Sequence, residues 1–279
     1  MAYKICAFAD EASNELSGQI KVLQERKIPY IELRNLDGKN VAELTLSEAK
    51  EIKKRFDDNG ISVWSIGSRL GKIGAFDDFK VHYDELLHTL ELANAFECDK
   101  IRMFSFYVPN DKSYGDCKDE VMQRLSCMLE AAKGSGVELC HENEKGIYGD
   151  TAERCLEIAR NFPELKLVFD PANFVQCGVD TLSAWEMLSP YVRYLHIKDS
   201  LPDGRIVPAG CGIGNVCKIA ESYMSQGGEV MTLEPHLTLF EGLASLEKRD
   251  IDKKDFPFEY PSAKDAFAAA HDALLTLIK

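Results

Sequence analysis

The chain has 279 residues, of which 45% are hydrophobic, and a formal net charge of −13. Its apolar content suffices for a large core, whereas its acidity argues against DNA or RNA as a partner, because phosphate contacts need clustered Lys and Arg. No apolar run approaches the ~18 residues of a membrane span, the start Met1-Ala2-Tyr3-Lys4-Ile5 lacks a signal-peptide plan, and nine scattered cysteines with no Cys-x-x-Cys pair fit reduced thiols in a cytoplasmic protein.

Taken in order, the chain repeats a strand-then-helix unit. Residues 4–8 read as the first strand, and Ser13 is placed to cap a helix carrying Leu16, Ile20 and Leu23. A second strand, 30–34, follows the Pro29 break, and a charged helix after Ser47 runs to Phe56 and stops at Asn59-Gly60. The third strand spans 61–66 and leads through a loop with Gly67, Gly71 and Gly74 into a helix over 79–96, with Leu86, Leu87, Leu90 and Ala93 on one face. The fourth strand covers 100–106, and a helix over 119–132 stops at Gly134 and Gly136. The fifth strand, 137–142, is followed by a helix capped by Thr151. The sixth, 165–170, precedes a short helix over 182–188. The seventh is 192–198, with a helix over 216–224, and the eighth is 229–234. A long charged loop then leads to a closing helix, 266–278, opened by Ser262.

Eight strands alternating with eight helices imply parallel β/α units, since a helix makes each crossover. Count and length favour a closed (β/α)₈ TIM barrel occupying 1–279 as a single domain; an open doubly wound sheet is the alternative. No Pro/Ser-rich linker or low-complexity tract divides the chain.

In such barrels the active site lies at the C-terminal strand ends. Strands five to eight each end an apolar run in a polar residue: Cys140-His141-Glu142, Val168-Phe169-Asp170, Tyr194-Leu195-His196-Ile197-Lys198-Asp199 and Thr232-Leu233-Glu234. Alternation places Glu142, Asp170, His196 and Glu234 in phase with the inward face of their strands. Singly, a strand-end acid is more often a cap or turn former and a lone His a structural imidazole; four on successive strands in one phase point to a site. Three carboxylates that close need a compensating cation. One divalent ion, Mn²⁺, Mg²⁺, Co²⁺ or Zn²⁺, suits three oxygens and an imidazole.

Glu142-Asn143, Asp150-Thr151, Asp170-Pro171-Ala172-Asn173, His196-Ile197-Lys198-Asp199, Pro208-Ala209-Gly210-Cys211-Gly212 and Leu233-Glu234-Pro235-His236 resemble, in order, the xylose isomerase-like TIM barrel superfamily. That superfamily includes sugar phosphate isomerases and epimerases, ketose 3-epimerases, inosose dehydratases, hydroxypyruvate isomerases and the endonuclease IV branch. The resemblance implies Glu142, Asp170, His196 and Glu234 as metal ligands, the two glutamates as acid and base, and a small sugar or sugar phosphate as substrate. Homodimers or tetramers are common in the resembled family, which keeps a homo-oligomer among the expected partners. Asn173 stands where the ketose epimerases and the endonuclease branch usually carry a His, and strands two and three lack the histidines of a three-zinc nuclease.

The expected chemistry is proton transfer through an enediolate stabilised by the metal, giving an isomerase or epimerase. Glu142 and Glu234 are the candidate proton carriers. A ligand makes an awkward base, so Lys198 or His141 could carry the proton instead, although His141 is out of phase. Asn173, Arg205, Arg102 and Glu32 are candidate substrate contacts, with Arg34 and Ser105 nearby, and the glycines of 208–214 make either an anion-holding turn or simply a tight turn. The rival readings are a metal-dependent dehydratase of an inosose-like keto-polyol and a non-catalytic sugar-binding barrel.

Overall fold

In the computed structural model, which describes residues 3–244 and 251–278, eight parallel strands pair in chain order and close on themselves. They are β1 (Lys4–Ala7), β2 (Tyr30–Leu33), β3 (Ser62–Gly67), β4 (Lys100–Met103), β5 (Glu138–Glu142), β6 (Lys166–Phe169), β7 (Val192–Ile197) and β8 (Val230–Leu233). Closure is made by β8 on β1, in a register that sets Lys4 beside Val230 and Ala7 beside Leu233. The closed (β/α)₈ barrel is therefore the fold, and the open sheet is excluded.

The helices include α1 (Leu16–Arg26), α2 (Leu46–Asp57), α3 (Phe79–Ala95), α4 (Tyr114–Ala132), α5 (Ala152–Asn161), α6 (Pro171–Gln176), α7 (Thr181–Leu188), α8 (Val216–Ser225) and α9 (Ala263–Leu277). Several starts differ from the sequence reading because other residues satisfy the free N–H groups of the first turn. Thr45, not Ser47, caps α2 in a reciprocal capping box with Glu48, and Ser113 with Asp116 opens α4 earlier than residue 119. Ser13 does not cap α1; the Leu16 N–H donates instead to Asp37 Oδ1 at 2.9 Å. Strand four ends at Met103, since the Phe104 and Phe106 N–H groups donate to Leu70 and Gly71 carbonyls.

The short α6 and two small ribbons, 35–36 with 39–40 and 199–200 with 206–207, are additions that periodicity does not reveal. Part of the charged loop expected after β8, residues 245–250, lies outside the described residues. Among the described residues, no helix is long and apolar enough to cross a membrane.

Most of the core lies between the strands and the helix ring. A second, small apolar layer fills the barrel itself: Cys6, Cys140, Val168, Tyr194 and Val230, with Tyr30 and Trp64 packed on it. That inner plug is the floor on which the polar site stands.

Candidate active site

Two residues beyond each plug residue on the same strand face comes a polar side chain: Glu142 after Cys140, Asp170 after Val168 and His196 after Tyr194. On β8 the step is taken twice, from Val230 through Thr232 to Glu234. Ligand-capable atoms of Glu142, Asp170, His196 and Glu234 lie within 4.8 Å of one another, and all four residues are buried.

His196 stands at the centre. Its Nδ1 lies 3.0 Å from Glu142 Oε1 and 3.3 Å from Glu234 Oε2, and its Nε2 lies 3.2 Å from Glu32 Oε2. Lys198, next on the same face, sets its Nζ 2.8 Å from Asp170 Oδ2 and 3.0 Å from Glu234 Oε2. Burial opposes charge on both groups. The surrounding carboxylates prevail, Glu142 and Glu32 holding the His196 proton, and Asp170 and Glu234 the Lys198 proton, well above the usual ranges. Glu234 is likewise held well below the carboxylate range by Lys198 and the two histidines beside it in spite of its burial. At Asp170 burial wins and pushes the carboxyl up to about 7.

The carboxylates divide their oxygens between tasks. Asp170 Oδ1 accepts the Asn173 N–H at 3.0 Å and so caps α6, whose first residue is Pro171. Its Oδ2, although close to Lys198, has no partner in hydrogen-bond geometry. Asn143 pins this strand end, donating its amide to the Asp170 carbonyl and accepting the Asp170 N–H, both at 2.9 Å. Glu142 turns Oε1 to His196 and Oε2 to Arg102 Nη1 at 3.4 Å; Glu234 turns Oε2 to His196 and Lys198 and Oε1 to Arg34 Nη1 at 3.4 Å.

Two acids that pattern reading passes over, with Arg34 and His236, complete the ring. Asp10 and Glu11 follow β1 in a 3-10 turn, Ala9–Glu11. Arg34 donates to Asp10 at 2.8 and 3.1 Å and to Glu11 Oε1 at 3.1 Å. His236, in a left-handed backbone conformation at φ 45, donates its backbone N–H to Glu11 Oε2 at 2.6 Å and holds Nε2 3.3 Å from Glu11 Oε1. Burial pushes Glu11 up to about 8 despite Arg34 and drives the His236 imidazole well below its usual range. The available signal was the one that found Glu234: Asp10-Glu11 also ends an apolar strand.

The remaining expected contacts separate. Arg102 joins the site; together with Arg34, Arg69 and Lys72 it lines a cavity of about 260 Å³ at the barrel mouth. Glu32 lies behind His196 with no exposed surface, its other oxygen accepting the Tyr194 hydroxyl at 2.9 Å, so it braces the imidazole and does not face the cavity. Asn173 donates to the Asn143 carbonyl at 2.9 Å and to Glu142 Oε1 at 3.3 Å, steadying the glutamate. Arg205 is half exposed, bonds Asp203 at 2.8 Å and lines a separate small cleft beside His236. His141 points away from the cluster, with Nε2 2.9 Å from Ser105 Oγ, and burial pushes it down to about 3. A larger cleft, about 770 Å³, opens around Glu138 and Lys166 at the other end of the barrel, away from every one of these groups.

The glycine-rich turn does hold an anion, but the anion is the chain's own. Asp199 accepts the N–H groups of Ser200, Gly210, Gly212 and Gly214 at 2.8–3.0 Å. A Cβ on Gly214 would meet Asp199 Oδ1 at 2.7 Å, which explains the glycine there. Of the two readings of this turn, the tight one holds, closed on the carboxylate of Asp199.

The cluster fits a divalent cation. Six buried carboxyl groups, Asp10, Glu11, Glu32, Glu142, Asp170 and Glu234, lie in and behind the cluster with Arg34, Arg102 and Lys198. With an ion bound, Glu32 at Nε2 would keep the ring's N–H on that side and leave His196 Nδ1 free to face the ion. Asp170 Oδ2 is the oxygen without a hydrogen bond. Three hard oxygens and one imidazole suit Mn²⁺, Mg²⁺, Co²⁺ or Zn²⁺.

A closed (β/α)₈ barrel gathering three carboxylates and a histidine at its C-terminal mouth defines a class of metal-site barrels. The sequence profile described as "Xylose isomerase-like TIM barrel" matches residues 20–222, and the chain belongs to that family. No curated protein matches the sequence. Among solved structures, the chain is similar to the probable 3-DHS dehydratase AsbF from Bacillus anthracis, with 20% identity over 99% of both chains and a TM-score of 0.75. It is similar to D-psicose 3-epimerase from Clostridium cellulolyticum H10, seen with D-tagatose, at 15% identity over 98% of both chains and a TM-score of 0.73. It is also similar to a zinc-bound IOLI protein, at 17% identity over 99% of this chain and 98% of the other, with a TM-score of 0.73. At these identities the likeness establishes the fold.

Proposed function

We propose that the chain is a divalent-metal-dependent enzyme that isomerises or epimerises a small sugar or sugar phosphate by proton transfer through an enediolate. The observation that carries the proposal is the pair of split glutamates. Glu142 and Glu234 each direct one oxygen to the shared cluster and the other to an arginine that lines the mouth cavity. A bound divalent ion would supply Lewis acidity toward a carbonyl and its neighbouring hydroxyl. Glu142 and Glu234 then serve as base and acid, each through the oxygen not committed to the cluster. Return of the proton to the other face of the same carbon epimerises, and return to the neighbouring carbon isomerises. Lys198, kept protonated by Asp170 and Glu234, steadies those carboxylates and donates to substrate oxygen.

A dehydratase of a keto-polyol shares the first proton abstraction, and two observations favour keeping it as the second reading: the likeness to AsbF and the protonated donor Lys198 beside Glu234. The experiment is metal analysis of the purified protein, followed by assay of ketoses, aldoses and their phosphates with added Mn²⁺ in deuterated water. Exchange of a substrate C–H without water loss supports the isomerase or epimerase, and water loss supports the dehydratase. If no divalent ion binds and Glu234→Gln leaves ligand binding and every turnover unchanged, the catalytic reading fails and a sugar-binding barrel remains.

A further inference from the structure

We infer that the substrate carries an oxyanion group, a carboxylate or a phosphate, and that the cavity over β2, β3 and β4 receives it against Arg102. The inference rests on the proposed sugar chemistry at the adjoining cluster and narrows its substrate class.

The cavity lining is the opposite of the chain's overall charge. The protein is at −13, yet among the described residues the cavity is walled by four cations, Arg34, Arg69, Lys72 and Arg102, with Asn35 and Asn40 and no acid. Three of those cations already have a carboxylate oxygen at 3.2 Å or closer: Arg34 has Asp10 at 2.8 Å, Arg69 has Glu85 at 2.9 Å and Lys72 has Glu144 at 3.2 Å. Arg102 differs. Its nearest carboxylate oxygens are Glu142 Oε2 at 3.4 Å and Glu32 Oε1 at 3.8 Å, and its buried Nε has no hydrogen-bond partner. Its guanidinium is nonetheless fixed, with Cζ 4.7 Å from the Phe104 ring centre and 5.4 Å from that of Phe8. Gly67 gives it room: a Cβ there would stand 3.2 Å from Arg102 Nη2 and 2.6 Å from the Phe8 ring.

A buried, immobilised guanidinium with unused donors is costly unless something accepts them. Its planar fork matches the two oxygens of a carboxylate or phosphate. At about 260 Å³ the cavity accommodates such a head group with part of a short sugar chain. Arg102 also touches Glu142, so the anion would sit at a fixed offset from one of the two proposed proton carriers, and the subsite would set which carbon meets it.

The test is calorimetric titration of the full chain, loaded with Mn²⁺, by D-ribulose, D-ribulose 5-phosphate and 2-keto-D-gluconate. At least one anion should bind about tenfold or more tightly than ribulose, the scale of a charge-assisted hydrogen-bond pair. Arg102→Gln should remove that preference, bringing the affinities for the anions down to the affinity for ribulose in the same variant. Preference for the phosphate identifies a phosphate ester, and preference for the keto acid identifies a carboxylate. The inference is overturned if neither anion exceeds ribulose, or if Arg102→Gln weakens all three alike. Should Arg102→Gln fail to fold, Lys72→Gln on the cavity wall must give a smaller loss confined to the anions, and an unchanged preference in that variant overturns the inference. C–H exchange in deuterated water separates this from the proposed reaction. An Arg102-dependent anion preference without exchange keeps the subsite and rejects the isomerase, and equal exchange on ribulose and both anions does the reverse.

Discussion

Replacing Glu32 by Gln should weaken divalent metal binding without loosening the fold. Glu32 lies outside the proposed ligand set, and its Oε2 sits 3.2 Å from His196 Nε2 while Oε1 accepts from Tyr194. In Gln, the side-chain carbonyl can still accept the imidazole N–H. The amide then faces the Tyr194 hydroxyl, which can rotate to accept, since Ser65 Oγ stands 3.2 Å away as an alternative partner. What is lost is the negative charge that fixes the ring tautomer and raises the basicity of Nδ1. Removing such a brace typically weakens affinity about 10- to 100-fold. The 3.2 Å contact is long for a charge-assisted bond, which places the expectation near the lower end, roughly tenfold or about 1.4 kcal/mol.

Chelator competition with Mn²⁺ and Zn²⁺ measures the loss directly. Glu11→Gln is the control. Burial pushes Glu11 up to about 8, so at pH 7 it is mostly neutral and its replacement removes little charge. If Glu32→Gln binds metal as tightly as the parent, Glu32 does not act through His196. If Glu11→Gln loses as much as Glu32→Gln, the effect is general electrostatics and the bracing argument fails.

Asp170→Asn should separate capping from ligation. The amide oxygen can still accept the Asn173 N–H, so α6 and the thermal midpoint are kept, while metal affinity falls further than in Glu32→Gln; joint loss of both in circular dichroism and metal titration would refute the division of its oxygens. Asp199→Ala should strand the donors of Ser200, Gly210, Gly212 and Gly214, costing on the order of 3 kcal/mol, read as a lowered urea midpoint; an unchanged midpoint would mean water replaces the carboxylate. His141 gives a pH signature. Burial holds its folded pKa at about 3 against a reference of 6.5, so below pH 6.5 the unfolded chain binds the extra proton. Stability from this group is therefore intact above pH 6.5 and falls toward pH 3 by about 1.4 kcal/mol per unit. Urea unfolding of His141→Gln should show a correspondingly flatter profile than the parent between pH 6 and 4, and parallel profiles would refute the assignment.

The barrel was legible because each strand is an apolar run and each crossover a helix of ordinary length. Helix starts were less so, since Thr45 and Ser113 cap through a Glu or Asp three residues on, and Asp37 reaches α1 from a turn distant in sequence. The four cluster residues follow from period-two alternation alone, which a single sequence displays. Glu32, Asn173 and Arg102 share the same phase or motif, yet one braces, one steadies and one lines the cavity; that distinction depends on depth along the barrel axis, which alternation does not encode. Asp199 shows the same limit from another side. A Gly-x-Gly-x-Gly turn before a helix advertises an anion, and only the folded chain shows that residue 199 supplies it.

The sequence also posed a false choice at each strand-end acid, between helix cap and ligand, and between ligand and base. A carboxylate has two oxygens, and at this mouth they are used separately. Asp170 caps with one and faces Lys198 with the other; Glu142 and Glu234 face His196 with one and an arginine with the other. The arrangement answers the objection that a ligand makes a poor base, because the oxygen proposed to move a proton is not the one committed to the cluster. It also implies that Arg34 and Arg102 act on the two glutamates separately: Arg34 is paired with Asp10 at 2.8 Å, whereas the nearest carboxylate oxygen to Arg102 among the described residues is at 3.4 Å. The two proposed proton carriers therefore answer to different cations, Glu142 to Arg102 and Glu234 to Lys198.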